Sequence, residues 1–235
     1  MRDVIVALDF PDKRQMELLL ERFGSARPYV KVGKELFYAE GPAVVYELKS
    51  RGHKVFLDLK LHDIPNTVRG AVQSLSRVGA DMINVHAAGG IAMMRAAFEA
   101  AEMSGYMRPI IIAVTQLTST GQNVMNQELL IPGTVEHVVL AYAKNAKAAG
   151  LDGVVCSPLE TALIKKQLGK QFLTVTPGIR FPDGEESDDQ VRITTPAQAG
   201  EDGTDYIVVG RPITRASDPL EAYVRCVNEF LGKSK

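Results

Sequence analysis

Residues 54–87, KVFLDLKLHDIPNTVRGAVQSLSRVGADMINVHA, contain the unit that decides the fold. Two apolar runs, 54–60 and 81–87, flank a stretch whose apolar positions recur every three or four residues and which ends at Gly79. This alternation is typical of a strand, a helix and a second strand that runs parallel to the first. Parallel strands that are covered on both faces need near-continuous apolar runs, and both runs are of that kind.

The same alternation continues in both directions along the chain. Further strand-like runs are predicted at 3–9, 29–33, 109–115, 152–157, 172–177 and 205–210. Segments with helical periodicity lie between them, and most of these end at a glycine, which suits a helix C-cap. Eight such units in 235 residues predict a single-domain (β/α)8 TIM barrel that spans residues 1–235.

Charge and composition exclude several classes of function. The chain has 27 Lys and Arg against 28 Asp and Glu, so we expect no general surface for nucleic acid. The N-terminal stretch MRDVIVALDF lacks the apolar core of a signal peptide, and no apolar run of 18 residues follows. We therefore expect no membrane segment and a cytoplasmic location.

Charged residues cluster where the predicted strands end. Regular alternation places Asp58 and Lys60 on the same side of their strand, about 6.6 Å apart at about 3.3 Å per residue, with room for a small molecule between them. Lys31 reaches the same mouth, so Lys31, Asp58, Lys60 and Asp63 are expected to form a ring of alternating charge. An ion-pair network that only joins strands is the alternative, but such density at the catalytic face of a barrel favours a functional site.

The connections after the seventh and eighth strands predict a phosphate site. In TIM barrels these loops often bind phosphate, and here Gly178 and Gly210 allow close backbone approach while Arg180 and Arg211 supply forked donors. Turn glycines and solvated arginines are the alternative reading. The favoured reading predicts a phosphate ester as substrate.

Two connections are unusually long, 116–133 and 178–193. The second is rich in Gly, Asp and Glu and is predicted to be a mobile lid, with a tolerated surface insertion as the alternative.

The remaining candidates for cofactor binding are weak. The histidines His53, His62, His86 and His137 show no metal-ligand spacing, although His86 ends a predicted strand and is expected near the site. No GxGxxG or P-loop pattern occurs. We therefore expect neither a metal nor a nucleotide cofactor.

With these motifs assembled, the sequence resembles the orotidine 5'-phosphate decarboxylase family, in particular its short bacterial branch. The resemblance covers essentially the whole chain, and 58–67, DLKLHDIPNT, is its most specific part. The matching segments are VALDF (6–10), VKVG (30–33), FLDLKLHDIPNTV (56–68), VTQLTS (114–119), TPGIR (176–180), DDQVRI (188–193) and VVGRPIT (208–214).

The resemblance implies decarboxylation of orotidine 5'-phosphate to UMP without a cofactor. Lys60 is the implied proton donor to C6 of the pyrimidine, within a catalytic array completed by Lys31, Asp58 and Asp63. In the implied homodimer, Asp63 and Thr67 reach the site of the neighbouring subunit.

The resemblance also implies the contacts of the substrate. Asp9 and Lys31 are expected at the ribose hydroxyls and Thr118 at the pyrimidine ring. Arg180, Gln190, Gly210 and Arg211 are expected at the phosphate, Gln190 arriving when the lid closes. The whole implied binding set is Asp9, Lys31, Asp58, Leu59, Lys60, Leu61, His62, Asp63, Ile64, Pro65, Asn66, Thr67, Thr118, Pro177, Arg180, Gln190, Gly210 and Arg211.

Two rival readings stay open at this point. Metal-dependent sugar-phosphate decarboxylases and aldolases of the same barrel superfamily share the Asp-x-Lys-x-x-Asp pattern, although IPNTV (64–68) and QLTS (116–119) favour the pyrimidine enzyme. The other rival is a barrel that binds a phosphate ligand without catalysis.

Overall fold

The computed structural model describes residues 2–182 and 193–232. Eight parallel strands form a closed barrel in chain order, and β1 pairs with both β2 and β8. The strands are β1 (Asp3–Leu8), β2 (Tyr29–Gly33), β3 (Val55–Leu61), β4 (Met82–His86), β5 (Ile110–Val114), β6 (Gly153–Val155), β7 (Leu173–Thr176) and β8 (Tyr206–Val209). Each overlaps one predicted run, so the predicted (β/α)8 barrel is confirmed.

The helices surround the barrel. In the described residues they are α1 (Lys13–Glu21), α2 (Lys34–Glu40), α3 (Ala43–Ser50), α4 (Pro65–Val78), α5 (Gly90–Glu102), α6 (Val135–Ala148), α7 (Pro158–Leu168), α8 (Pro196–Glu201), α9 (Arg211–Thr214) and α10 (Pro219–Leu231). The sequence pattern does not predict α2 and α9, because helices of seven and four residues are too short to show a clear periodicity. A 3-10 turn at Ala87–Gly89 and a π-helical turn at Val124–Glu128 complete the elements.

Local signals explain where the helix that follows the charged strand begins and ends. Pro65 occupies the first turn of α4, where the missing N–H costs nothing. Gly79 ends the helix with a φ of 89°, a left-handed conformation that favours glycine. The helix therefore starts two residues after Asp63, at the edge of the barrel mouth.

The apolar core has two layers. The larger layer fills the space between strands and helices, and the smaller one fills the barrel interior with Tyr29, Phe56, Met82, Val175 and Tyr206 among its members. Because the strands are parallel, residues later in each strand lie nearer the carboxyl-terminal mouth. Lys31 follows Tyr29 by two positions, and Asp58 follows Phe56 by two positions. Both charged residues therefore lie between the apolar interior of the barrel and its mouth.

A repeated contact reinforces the opposite rim. Asp81, Asp152 and Asp205 each precede a strand, and each carboxylate accepts the main-chain N–H of a residue in the preceding strand at 2.7–2.8 Å. Each also pairs with a basic side chain, from Lys49, Arg108 and Lys165 in turn. These clamps stabilise the strands at the end of the barrel opposite the carboxyl-terminal mouth.

None of the helices in residues 2–182 and 193–232 has the length and apolar character needed to cross a membrane.

Candidate active site

A cavity of about 700 Å³ opens at the carboxyl ends of the strands, and we call it the mouth cavity. Its volume lies in the usual range of small-molecule sites, about 300–1,000 Å³. Every strand except β4 contributes a residue to its wall. The predicted site residues that line it are Asp9, Lys31, Asp58, Lys60, Thr118, Pro177, Arg180, Gly210 and Arg211.

Four charged side chains in the mouth cavity form a connected network. Lys31 Nζ lies 2.8 Å from Asp9 Oδ1 and 3.3 Å from Asp58 Oδ2. Lys60 Nζ donates to Asp58 Oδ1 at 2.6 Å. The side chains of Lys31 and Asp58 are only 10% and 13% exposed, so their charges are stabilised by each other and by their neighbours rather than by water.

The network fixes the ionisation of its central carboxylate. Burial alone raises the pKa of Asp58, but attraction to Lys31 and Lys60, with hydrogen bonds from Lys60 and Asn84, outweighs burial and lowers the pKa to about 2. Burial also opposes the charge on Lys31, whereas Asp58 and Asp9 raise its pKa above the ordinary value. The Asp58 carboxylate and the Lys31 ammonium are therefore both charged at neutral pH.

Strand β3 departs from regular geometry where it carries these charges. Its ladder pairs Leu57 with Ile83 and then Leu61 with Val85, so three residues of β3 face a single residue of β4. Such a bulge redirects the side chains of a strand. Lys60, inside the bulge, has a φ of 52°, a left-handed conformation that costs a residue other than glycine about 1–2 kcal/mol.

The prediction of a gap between the side chains of Asp58 and Lys60 is wrong. Regular alternation leaves room for a small molecule between the two side chains, whereas in the bulged strand they form a direct hydrogen bond. The space available to a ligand lies beside this pair, in the mouth cavity.

Asp63 does not join the network of its own chain, so the expected ring of four charges is wrong for one subunit. Its side chain is exposed, and its Oδ1 accepts the main-chain N–H of Ile64 at 2.6 Å. Asp9 instead provides the second carboxylate partner of Lys31.

A second cavity of about 490 Å³, which we call the side cavity, lies on the other side of Lys60. Lys60 lines both cavities. The predicted residues Leu59, Leu61, His62, Asp63 and Thr67 line the side cavity, together with Lys34, Tyr38, Val68, Ala71 and His86. Ile64, Pro65 and Asn66 line neither cavity and are exposed.

The side cavity is electropositive. Its lining carries two ammonium groups, from Lys34 and Lys60, against a single carboxylate from Asp63. The imidazoles of His62 and His86 also line it, with ring centroids 5.6 Å apart. Burial first, and then the charges of His62 and Lys60, lower the pKa of His86. His86 therefore lies beside the charged network, as expected, but on the side-cavity face of Lys60.

The candidate phosphate end of the mouth cavity lies between the loops after β7 and β8. Two main-chain hydrogen bonds of 2.9 Å join Arg180 N to Thr194 O and Thr194 N to Gly178 O, which closes the base of the β7 loop. The Arg180 guanidinium donates to Ile179 O at 2.7 Å, and the Phe181 ring lies 4.2 Å from the Arg225 guanidinium.

Gln190 lies outside the described residues, as does most of the predicted lid at 178–193.

The connection 116–133 is long, as predicted, and its first residues reach the mouth cavity. Thr118 lines the cavity beside Gln116 and Ser119. Farther along, Gln122 Nε2 donates to Gly133 O at 2.6 Å, which ties the connection to the start of α6.

Metal ligands do not cluster in the part of the chain that the structure describes. No group of three or more His, Cys, Asp or Glu side chains is placed there to hold a metal ion.

The sequence model of the orotidine 5'-phosphate decarboxylase / HUMPS family matches residues 2–226. The chain belongs to this family. The resemblance stated from the motifs is thereby confirmed at the level of the family.

Individual relatives of the family agree with this assignment over nearly the full chain. The orotidine 5'-phosphate decarboxylase of Bacillus caldolyticus is 57% identical over 231 residues, which cover 97% of this chain and 94% of the relative. The enzyme of the same name from Geobacillus sp. (strain WCH70) is 53% identical and covers 98% of both chains. The crystal structure of orotidine 5'-phosphate decarboxylase from Lactobacillus acidophilus superposes with a TM-score of 0.88 at 42% identity, covering 98% of this chain and 100% of that one.

The site residues implied by the resemblance do not include two residues that shape the network. Asn84, in β4, contacts both Asp58 and Lys60. Gly33, which ends β2, leaves space for the Lys31–Asp9 pair, since a Cβ there would lie 3.1 Å from Asp9 Oδ1 and 3.3 Å from Lys31 Nζ. The available signal for Asn84 is a single amide in the otherwise apolar run MINV (82–85).

Proposed function

We propose that this chain decarboxylates orotidine 5'-phosphate to UMP and CO2, the last step of de novo pyrimidine nucleotide synthesis. Membership of the family and the names of its relatives support this activity. The single structural observation that carries the mechanism is the Lys31–Asp58–Lys60 network at the wall of the mouth cavity.

Lys60 is the proposed acid. The bond between C6 and the carboxylate carbon breaks, its electron pair stays on C6, and CO2 leaves. The Lys60 ammonium then transfers a proton to C6, and its charge stabilises the carbanion before that transfer. Lys60 regains its proton from solvent after UMP departs.

Asp58 and Lys31 are proposed to orient the Lys60 ammonium. Asp58 contacts the Lys60 ammonium and is itself held ionised by Lys31. A fixed carboxylate beside the departing carboxylate also disfavours the bound substrate relative to the carbanion, because the negative charge moves from the carboxylate to C6 and the CO2 that leaves is neutral.

The rest of the mouth cavity is proposed to hold the nucleotide. Asp9 and Lys31 would bind the ribose hydroxyls, and Thr118 and Pro177 would border the pyrimidine. The phosphate is assigned to Arg180, Gly210 and Arg211, which face the cavity from the loops after β7 and β8, and to Gln190. Binding energy from the phosphate, remote from C6, would assemble the site around the reacting atoms.

A homodimer is proposed to complete each site with Asp63 and Thr67 of the other subunit. Both residues are exposed in the single chain, and they lie next to Tyr38 and Ile64, whose side chains are 72% and 67% exposed. A carboxylate from a second copy would find complementary charge in the side cavity and reach Lys60 from that side.

The reaction is proposed to need no metal or organic cofactor, and the cytoplasmic location also stays a prediction. The metal-dependent sugar-phosphate enzymes are not favoured, because the curated relatives at 53–57% identity are named orotidine 5'-phosphate decarboxylases.

The test of the proposed function is conversion of orotidine 5'-phosphate by the purified protein in excess EDTA, with UMP quantified by chromatography. We expect rapid stoichiometric formation of UMP. The Lys60→Ala variant, purified in parallel, controls for a contaminating host decarboxylase and should lose about 10²–10⁴-fold in kcat. No conversion in EDTA, followed by activity on a sugar phosphate once magnesium is restored, would move the assignment to the metal-dependent relatives.

A further inference from the structure

Asn84 is a buried polar residue that touches the charged network without lining the mouth cavity. It lies in the middle of β4 and is 1% exposed. A buried amide needs partners for both its donor and its acceptor. Among the described residues, both hydrogen-bond partners of the Asn84 side chain belong to the bulged segment of β3, residues 58–60.

Each end of the Asn84 amide has a distinct partner. Oδ1 accepts the main-chain N–H of Lys60 at 2.8 Å, and Nδ2 donates to Asp58 Oδ1 at 2.7 Å. The chemistry of the partners fixes this orientation, because a main-chain N–H only donates and an ionised carboxylate only accepts. Rotating the amide by 180° would break both hydrogen bonds.

The position of Asn84 explains why β3 needs it. Between Leu57 and Leu61 the β3 backbone leaves the regular ladder, and Asn84 is the residue of β4 that lies opposite. Its side chain supplies the acceptor for Lys60 where that residue adopts a φ of 52°. The same side chain shares Asp58 Oδ1 with the Lys60 ammonium.

We infer that Asn84 is a positioning residue of this site, whose amide holds the Lys60 backbone in its left-handed conformation and fixes the Asp58 carboxylate, so that the Lys60 ammonium points at C6. The inference rests on the proposed function and adds a residue to it. Leucine, of similar size, offers neither hydrogen bond. Aspartate keeps an acceptor for Lys60 but turns a second carboxylate oxygen towards Asp58.

Ligand affinity gives a readout that does not depend on measurable turnover. The probes are UMP and a UMP analogue that carries an oxyanion at C6. Both contain the same ribose and phosphate, but only the analogue places negative charge where the carbanion forms. The ratio of their Kd values therefore reports how well the network is aligned on C6.

We expect Asn84→Leu and Asn84→Asp to reduce this preference for the analogue by about tenfold or more, the loss typical of a hydrogen bond to a charged group. Met82→Leu is the matched control, because Met82 is equally buried in β4 two positions earlier and lies outside the mouth cavity. It should change the preference by less than about twofold. If circular dichroism shows that Asn84→Leu does not fold, the near-isosteric Asn84→Asp carries the test.

A Lys60→Ala background separates positioning from a general effect on the barrel. Once the ammonium is gone, replacing Asn84 should change the preference no further. An undiminished preference in the folded Asn84 variants, or an equal further loss in the Lys60→Ala background, would overturn the inference alone. A wild-type protein that binds UMP and the analogue equally would overturn the proposed mechanism and this inference together.

Discussion

Asp58 is the residue on which the other charges of the site depend. Its Oδ2 faces Lys31, and its Oδ1 accepts hydrogen bonds from both Lys60 and Asn84. These partners exist only in the folded chain, so the ionisation of Asp58 is coupled to folding. A carboxylate whose pKa is lowered by folding stabilises the native state above its unfolded pKa and loses that contribution as the pH falls.

The pKa of Asp58 therefore predicts an acid-sensitive part of the free energy of unfolding. Its fall from 3.8 to about 2 corresponds to about 2 kcal/mol at neutral pH, of which about 1 kcal/mol is lost by pH 3. Asp58→Asn removes this dependence, so the difference in unfolding free energy between wild type and variant should shrink by about 1 kcal/mol from pH 6 to pH 3. Urea titrations at both pH values measure it, and a difference independent of pH would show that the Asp58 pKa is not lowered.

The backbone of Lys60 leads to a second prediction at this scale. Because its φ of 52° strains any residue with a Cβ, Lys60→Gly should be more stable than Lys60→Ala by about 1 kcal/mol. The control is Lys54, which is exposed, precedes β3 and has no positive φ. At Lys54 the glycine variant should be less stable than the alanine variant. If thermal unfolding shows the alanine variant to be the more stable one at Lys60 as well, the backbone of Lys60 is not strained.

At the scale of elements, the sequence predicts what depends on repeated patterns. All eight strands follow from near-continuous apolar runs, because a strand inside a covered parallel barrel must be apolar on both faces. The positions of Asp58, Lys60 and Arg211 at the mouth follow from the same argument, since they end or follow such runs.

The pattern fails where a single strand breaks its own period. The bulge in β3 lies opposite Asn84, which follows Lys60 by 24 residues and becomes its neighbour only when the barrel closes. Regular alternation alone therefore predicts that the side chains of Asp58 and Lys60 lie apart, whereas in the structure they are in contact. Similarly, DLKLHDIPNT reads as one motif, but the structure divides it between the mouth cavity, the side cavity and the exposed start of α4.

The loops after β7 and β8 lead to a prediction about substrate phosphate. Arg211→Ala should lower kcat/KM for orotidine 5'-phosphate by about a hundredfold, because it removes a charge-assisted contact to phosphate. Orotidine, which lacks the phosphate, is the matched control and should react at the same low rate with both proteins. Steady-state kinetics with the two substrates decide the point, and an equal loss for both would place Arg211 outside the phosphate site.

At the level of the whole molecule, one chain leaves the charged array implied by its DLKLHDIPNT motif incomplete. Asp63 and Thr67 stand at the side cavity, away from the Asp58 carboxylate, and the neighbouring Ile64 side chain is largely exposed. A second copy that covers this face would bury Ile64 and bring a carboxylate to Lys60. In this arrangement, each proposed active site contains residues from both subunits.

Subunit mixing tests that arrangement. Lys60→Ala and Asp63→Ala proteins should each have little activity, whereas a refolded equimolar mixture should recover up to about a quarter of wild-type activity, since half of the dimers would be mixed and each would hold one intact site. Activity that stays at the level of the two separate variants would show that Asp63 serves the site of its own chain. Gel filtration of the mixture confirms that dimers have formed.

Hydrogen exchange at C6 of UMP tests directly whether Lys60 is the acid. An enzyme that protonates a C6 carbanion through Lys60 must also catalyse the reverse step, the exchange of the C6 hydrogen of UMP with D2O, which proton NMR records without any decarboxylation. We expect exchange with wild type and a loss of at least about a hundredfold in Lys60→Ala under saturating UMP. Exchange at the wild-type rate in Lys60→Ala would contradict the role of Lys60 as the acid.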